Sequence, residues 1–323
     1  TCRNQRFITL RGLTVRREGW RAIEAGPAVE PIVEDCEVYD SECGIHVGVA
    51  LRPVVRRCYV HHVSGIAINT GNSQAANIYD NVVHDFFEDW QRTGNWYWDA
   101  AFTLFGAEYN RFFHNVIAQS AAHTNVLNYR GTGFWPDVHT PGHFYVGNAI
   151  YRCAGGFYIE SPAMGNLLRW NAVVSNSVGI TLAVNTANQV IDNYVESGGL
   201  TLQGTDSTDI DMTRNFFAGN WLKPRPGAYA LHFHGTQPGG KGVRENYAQG
   251  NVYEGTAHVY RVGSVSYATL ADFRDATGHE TLGTVTNAIN LTGLGLVYVR
   301  LAGLDISAES IPLFGNPDCS RRG

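Results

Sequence analysis

Apolar and polar positions along this chain alternate in short runs that recur at a nearly constant interval. Between Phe144 and Gly204, three asparagines, Asn148, Asn171 and Asn193, stand 23 and 22 residues apart. Each has an apolar residue three before it (Tyr145, Leu168, Val190) and two after it (Ile150, Val173, Val195). Each is followed by a Gly-opened apolar run: GGFYIES at 155–161, VGITLAV at 178–184 and GGLTLQG at 198–204. Self-similarity at a fixed period marks a solenoid, in which one repeat cannot bury its apolar face alone. The runs are short, alternating and rich in Val, Ile, Phe and Tyr, so strands rather than helices build each repeat. The pattern predicts an all-β parallel β-helix with coils of about 22 residues and Gly at the corners.

The same slot extends in both directions. Upstream it holds Asn115, Asn81, Cys58, Cys36 and Leu13; downstream it holds Asn215 and Asn251. Equivalent residues stack in a solenoid, so Asn81, Asn115, Asn148, Asn171, Asn193 and Asn215 are expected in one inward column. There each side-chain amide can donate to the next and accept from the previous one. Asparagine as an ordinary turn former explains one or two of these positions but not the register. Residues 1–263 read as the solenoid, and 264–323 as a C-terminal capping segment of the same domain. In that segment SYATLADFRDATGHETLG reads as a short amphipathic helix with a Gly stop, and NLTGLGLVYVRL as strand. The first coil shows no cap over its open core, which suggests a missing cap or a partner chain.

Regularity breaks where function is expected. Asn81 to Asn115 is 34 residues and Asn115 to Asn148 is 33, so two adjacent coils each carry about eleven extra residues. The first insertion contains EDWQRTGNWYWDAAF and the second NYRGTGFWPDVHTPGHF. Long loops on a rigid scaffold are where binding and catalysis concentrate. A third insertion, WLKPRPGAYALHFHGTQPGGKG, lies between Asn215 and Asn251 and supplies a second wall for a groove.

Carboxylates and aromatics cluster in these segments. Asp99 follows Trp96 and Trp98, Asp137 follows Trp135, and Glu160 ends GGFYIES. In that strand Phe157 and Ile159 point inward, so Tyr158 and Glu160 point outward. Glycoside hydrolysis uses two carboxyls across the scissile bond, and sugars stack well on Trp and Tyr. Taken singly, each carboxylate also reads as a turn former or a solvated edge. Clustered on three consecutive rungs, Asp99, Asp137 and Glu160 read as catalytic. Glu160 is expected as the general acid, with Asp99 or Asp137 ionised as base or nucleophile. Trp96, Trp98, Trp135, His139, Tyr158, His232 and His234 are the expected sugar-binding set, and His143 joins them as a hydrogen-bonding residue of the Trp135 loop. His232 and His234 alternate onto one strand face, which also suits a metal, but no spacing fixes a third ligand. His84, in NVVHDF, reads as a residue that caps or orients a turn.

Composition narrows the class. The net charge is −5 and the only lysines are Lys223 and Lys241, so there is no basic footprint for nucleic acid. No apolar run reaches the length of about 18 residues that a membrane span needs. No signal peptide opens the sequence, so it has been removed or the protein is cytosolic; a polysaccharide substrate favours an extracellular or periplasmic location. Among six cysteines, Cys36 and Cys58 read as stacked, reduced core residues, while Cys2, Cys43, Cys153 and Cys319 cannot be paired from sequence. No cofactor is expected. Asp206, Asp209 and Asp211 in GTDSTDIDMT read first as a solvated turn, with Ca2+ as the alternative. Lys241 and Arg244, with Arg130 and Arg152, keep a polysaccharide lyase as the second reading, and a non-catalytic glycan-binding β-helix is the third.

The segments NIYDNVVHDF, WDAAFTLFGAEYNRFFHNVI and GGFYIESPAMGNLLRWNAVVSN together resemble the right-handed parallel β-helix proteins of carbohydrate metabolism, the pectate-lyase-like superfamily. Within them the chain is most similar to glycoside hydrolases that act on plant cell-wall xylan or fucosylated glycans. The resemblance covers about residues 5–290 and includes TLADFRDATGHETLG near the C-terminus. It implies catalytic roles for Asp99, before a Gly/Ala-rich strand, and for Glu160, where those proteins carry Asp in a Gly-aromatic-Tyr-Leu-Asp pattern. The expected substrate is a plant or microbial polysaccharide or oligosaccharide.

Overall fold

In the computed structural model most strands fall into three long stacks of eleven, eleven and ten. The structure describes residues 1–16, 19–87, 100–119, 131–160, 163–174, 176–183, 185–203, 212–225, 227–234, 243–255, 259–286, 296–297 and 311–312. One coil shows the plan: Phe144–Val146, Ala149–Tyr151 and Gly155–Ile159 follow one another in sequence and enter three different sheets. Each strand then pairs, parallel and in register, with its equivalent one coil earlier and one coil later, as Tyr145 does with Phe112 and Leu168. This is the expected parallel β-helix.

The sheets enclose a continuous apolar column. Phe102, Phe134 and Phe157 stack with ring centroids 4.8 and 5.0 Å apart, and Phe112 stacks on Tyr145 at 5.2 Å. All five are fully buried. Cys36 and Cys58 are buried free thiols, as expected of slots that face this core.

Polar order comes from two asparagine columns rather than one. The first runs Asn81, Asn115, Asn148, Asn171, Asn193, Asn220 and Asn251. In it Asn148 donates its backbone N–H and its Nδ2–H to Asn171 Oδ1, at 2.9 and 3.0 Å, and a second Nδ2–H to the Phe112 carbonyl. The second column runs Asn110, His143, Asn166, Asn188, Asn215 and Asn246, five residues ahead of the first throughout. Asn215 therefore leaves the column in which its apolar flanks placed it. Phe217 lies two after Asn215 and three before Asn220, so it satisfies the same flanking rule for both. His143 is corrected too: it is buried, and its Nδ1 accepts the Asn110 backbone N–H, taking the place of an asparagine amide.

Why asparagine follows each corner is visible in the backbone. The residue before each first-column member from Asn81 onward has positive φ: Asp80, His114, Gly147, Trp170, Asp192, Gly219 and Gly250. A left-handed residue turns the chain between two sheets, and the following amide ties that turn to the next coil. The ladder ends on Glu280, whose carboxylate accepts from Asn251 N–H and Nδ2–H and, at 2.9 Å, from Tyr253 O–H. The helix expected near the C-terminus spans Leu270–Thr277, capped by Thr269 and stopped by left-handed Gly278. Beyond it Thr284–Thr286 pairs parallel with Val252–Glu254, so a solenoid sheet continues past the helix.

Candidate functional site

One sheet carries most of the expected site. Strand Thr132–Asp137 lies between Ala100–Phe105 and Gly155–Ile159, with Phe102, Phe134 and Phe157 in register and pointing inward. Alternation then points Trp135 and Asp137, and Tyr158 and Glu160, outward. Trp135 is thus a strand residue, not part of a loop. Gly133 and Pro136 argue against a strand locally, but pairing on both sides overrides them.

The outward positions form two parallel rows. Asn69, Thr103 and Trp135 are in register across successive coils, and so are Tyr158, Thr181, Thr201, His232 and Arg261. Trp135 and Tyr158 join the two stretches, with ring centroids 5.8 Å apart at 88°. The second row holds Phe105 and Asp137, then, on the next coil, Glu160; further on it holds Ala183 and Gln203. The Glu160 backbone N–H donates to the Pro136 carbonyl at 2.9 Å, which sets Glu160 beside Asp137, one rung away. Rungs are about 4.8 Å apart.

These groups feel one another. Trp135 Nε1–H donates to Glu160 Oε2 at 2.9 Å. The Asp137 carboxyl is pushed up to about 6, first by burial and then by the Glu160 charge. The Tyr158 hydroxyl is also raised, by burial and then by Glu160 and Asp137. The raised carboxyl here is that of Asp137. The cause is that the half-buried Asp137 loses solvent and faces a like charge.

The remaining candidates distribute as follows. His139 is exposed, two residues beyond Asp137. His232 is buried in the Trp135–Tyr158 row, four rungs on from Trp135, and the backbone of His234 is in register with Gln203. Asp99, Trp96 and Trp98 lie outside the described residues, as do Asp206, Asp209, Asp211, Arg130 and Lys241. Arg152 stacks over Tyr151, at the end of a strand in a different sheet. Lys223 pairs with Glu196 and Glu254.

A second polar cluster escaped the sequence reading. His84 is not a turn residue; it lies buried within strand Val82–Phe86, with its Nε2 2.5 Å from Tyr59 Oη and its Nδ1 3.0 Å from Asp85 Oδ2. His61 stacks on it from the preceding coil at 5.1 Å, and Tyr39 stacks on His61. The sequence carried a signal: His61-His62 and His84-Asp85 are 23 residues, one coil, apart.

The family model for the right-handed β-helix region matches residues 1–195. No curated protein sequence matches the chain. Among solved structures, XylC in complex with xylose superposes with a TM-score of 0.59 at 11% identity, covering 90% of this chain and 55% of its own. The A-module of the Azotobacter vinelandii mannuronan C-5 epimerase AlgE6 gives a TM-score of 0.55 at 13% identity, covering 88% of this chain and 74% of its own. The Dettilon tailspike protein gives 0.55 at 12%, with coverages of 81% and 56%. The chain thus spans little more than half the length of XylC and of the tailspike. At these identities the likeness is one of fold.

Proposed function

The chain belongs to the right-handed β-helix family, and on that scaffold we propose that it is a glycoside hydrolase acting on a plant or microbial polysaccharide or oligosaccharide. The observation that carries this reading is the Asp137–Glu160 pair, two outward carboxyls on adjacent rungs, one of them with its pKa pushed up to about 6. A rung of about 4.8 Å is near the carboxyl separation of about 5–5.5 Å used by retaining glycosidases. Protonated Asp137 gives its proton to the glycosidic oxygen while ionised Glu160 attacks the anomeric carbon. The alcohol leaves and a glycosyl ester forms. Asp137, now a carboxylate, takes a proton from water as that water attacks the ester, releasing sugar and restoring both groups. Trp135 and Tyr158 offer ring faces to sugar units, and Trp135 also holds Glu160 through its indole N–H.

A glycan substrate accords with fold neighbours that include a complex with xylose and an epimerase of mannuronan. A polymer substrate also favours a protein that works outside the cell. A purely binding β-helix needs the aromatics but not two juxtaposed carboxyls, and the pair therefore favours catalysis.

The test is a panel of polysaccharides and aryl glycosides assayed for reducing ends and ultraviolet absorbance together. Glu160→Ala should lose turnover by orders of magnitude and regain it with azide, yielding a glycosyl azide of inverted anomeric configuration. An unsaturated product absorbing in the ultraviolet would show a lyase instead. Binding without any product would show a glycan-binding module.

A further inference from the structure

We propose that His62, His84 and Asp85 form a divalent metal site of the zinc type, on a different sheet from the Asp137–Glu160 pair. One ligand atom from each of the three lies within 4.8 Å of the others. His84 Nδ1 lies 3.0 Å from Asp85 Oδ2, and His62 Nε2 lies 4.0 Å from the same oxygen. Donors bound tetrahedrally at about 2.0–2.1 Å lie roughly 3.3 Å apart. The group therefore straddles that spacing, and modest side-chain motion closes it. Two imidazoles and one carboxylate make a set suited to Zn2+ or Co2+ rather than Ca2+ or Mg2+. Three protein ligands leave the fourth position to water. The half-exposed His62 opens the site to solvent, while His84 and Asp85 are buried.

The surrounding residues prepare the ring nitrogens for this role. His61 Nε2 lies 3.3 Å from Glu37 Oε1, and His61 Nδ1 lies 2.8 Å from His62 Nδ1. If His61 Nε2–H donates to Glu37, its Nδ1 must accept the His62 Nδ1–H, and His62 Nε2 keeps a lone pair facing Asp85. On the other side, Tyr59 Oη at 2.5 Å can accept from His84 Nε2–H, which frees His84 Nδ1 as a ligand. Carboxylate and hydroxyl partners of this kind fix the tautomer of metal-bound histidines. Register brings the set together: His61 pairs with His84 and Val63 with Phe86, which leaves His62 beside Asp85. The cluster stands at the end of strand Val82–Phe86, immediately before the residues 88–99 that lengthen this coil.

The experiment uses the full chain without a purification tag, stripped by a chelator and titrated with Co2+ while visible absorption is followed. Zn2+ is titrated in parallel by calorimetry. We expect one equivalent, with cobalt bands of tetrahedral intensity and no sulfur-to-cobalt charge-transfer band. His62→Gln, at a half-exposed position, should weaken binding at least tenfold while leaving the melting temperature of the metal-free protein unchanged. His61→Phe keeps the ring stack but removes the tautomer relay, and should weaken binding severalfold. Asp85→Asn is a second ligand test, read only if its circular dichroism matches the parent. No saturable binding, a charge-transfer band placing the metal on cysteine, or unchanged affinity in His62→Gln would each overturn the site.

Discussion

The indole N–H of Trp135 donates to the carboxylate of Glu160 on the next coil, at 2.9 Å. Glu160 is thereby held by a neutral donor that cannot itself take part in proton transfer. The same side chain meets the ring of Tyr158 edge-on. Trp135→Phe keeps most of the ring and removes the donor. A hydrogen bond to a charged group contributes about 1.5–3 kcal/mol, so kcat/KM on a polysaccharide should fall by roughly ten- to a hundredfold. The melting temperature should barely move, because Trp135 is half-exposed. A large thermal loss with unchanged kinetics would make Trp135 a packing residue.

In the proposed mechanism Asp137 is the acid, and it would set the alkaline side of the pH profile. Its carboxyl is raised to about 6, so its protonated form, the acid that the mechanism needs, disappears as pH rises through that value. Activity should decline above about pH 6, and Asp137→Asn should lose more on substrates with poor leaving groups than on activated aryl glycosides, which need little protonic assistance. Equal losses on both substrate types would remove Asp137 from the acid role.

Within the asparagine ladder, Asn171→Leu removes the acceptor of Asn148 N–H and Nδ2–H and the donor to the Tyr145 carbonyl. Each buried polar group left without a partner costs about 1–3 kcal/mol. Thermal unfolding should show a fall of many degrees, and Asn215→Leu should do the same through the second column. An unchanged midpoint in either variant would contradict its column.

Glu280 links stability to pH. Burial is the largest influence on its carboxyl and raises its pKa above the ordinary glutamate value, although Asn251 and Tyr253 oppose the rise. For a carboxyl raised in the folded state, the protonated form binds its proton more tightly than in the unfolded chain. Its stabilising contribution is complete below the unfolded value and is lost as pH rises through the folded one. Glu280→Gln should abolish that part of the decline between acid and neutral pH, measured by unfolding midpoints across the range. A variant with the same pH slope as the parent would show that Glu280 is not its source.

The solenoid was legible because a buried amide recurred where ordinary turn chemistry gives no fixed register. The second column was hidden because both corners use the same device, a left-handed residue followed by asparagine, and because His143 interrupts it. Asn215 shows the resulting ambiguity: Phe217 serves as flank to two candidates five residues apart. Tyr158 and Glu160 could be read from strand alternation alone. Asp137 was found as a candidate but its strand was not, since Gly133 and Pro136 are poor strand residues until parallel neighbours supply the pairing. Its raised pKa was beyond reach, because burial and the approach of Glu160 arise between coils. The His62–His84–Asp85 group needed cross-coil register, which the 23-residue offset of His-His and His-Asp already held.

The constant five-residue offset between the two amide columns divides the molecule into a fixed side and a variable one. First-column neighbours are separated by 34, 33, 23, 22, 27 and 31 residues, and second-column neighbours by 33, 23, 22, 27 and 31. All variation in coil length therefore falls outside the short strand between the columns. The additional residues 88–99 and 120–130 precede strands of the sheet that carries Asp137 and Glu160, and 204–211 and 235–242 follow strands of it. A designer seeking new specificity could exchange those four segments independently, treating the amide-bordered edge as a spine whose length never changes.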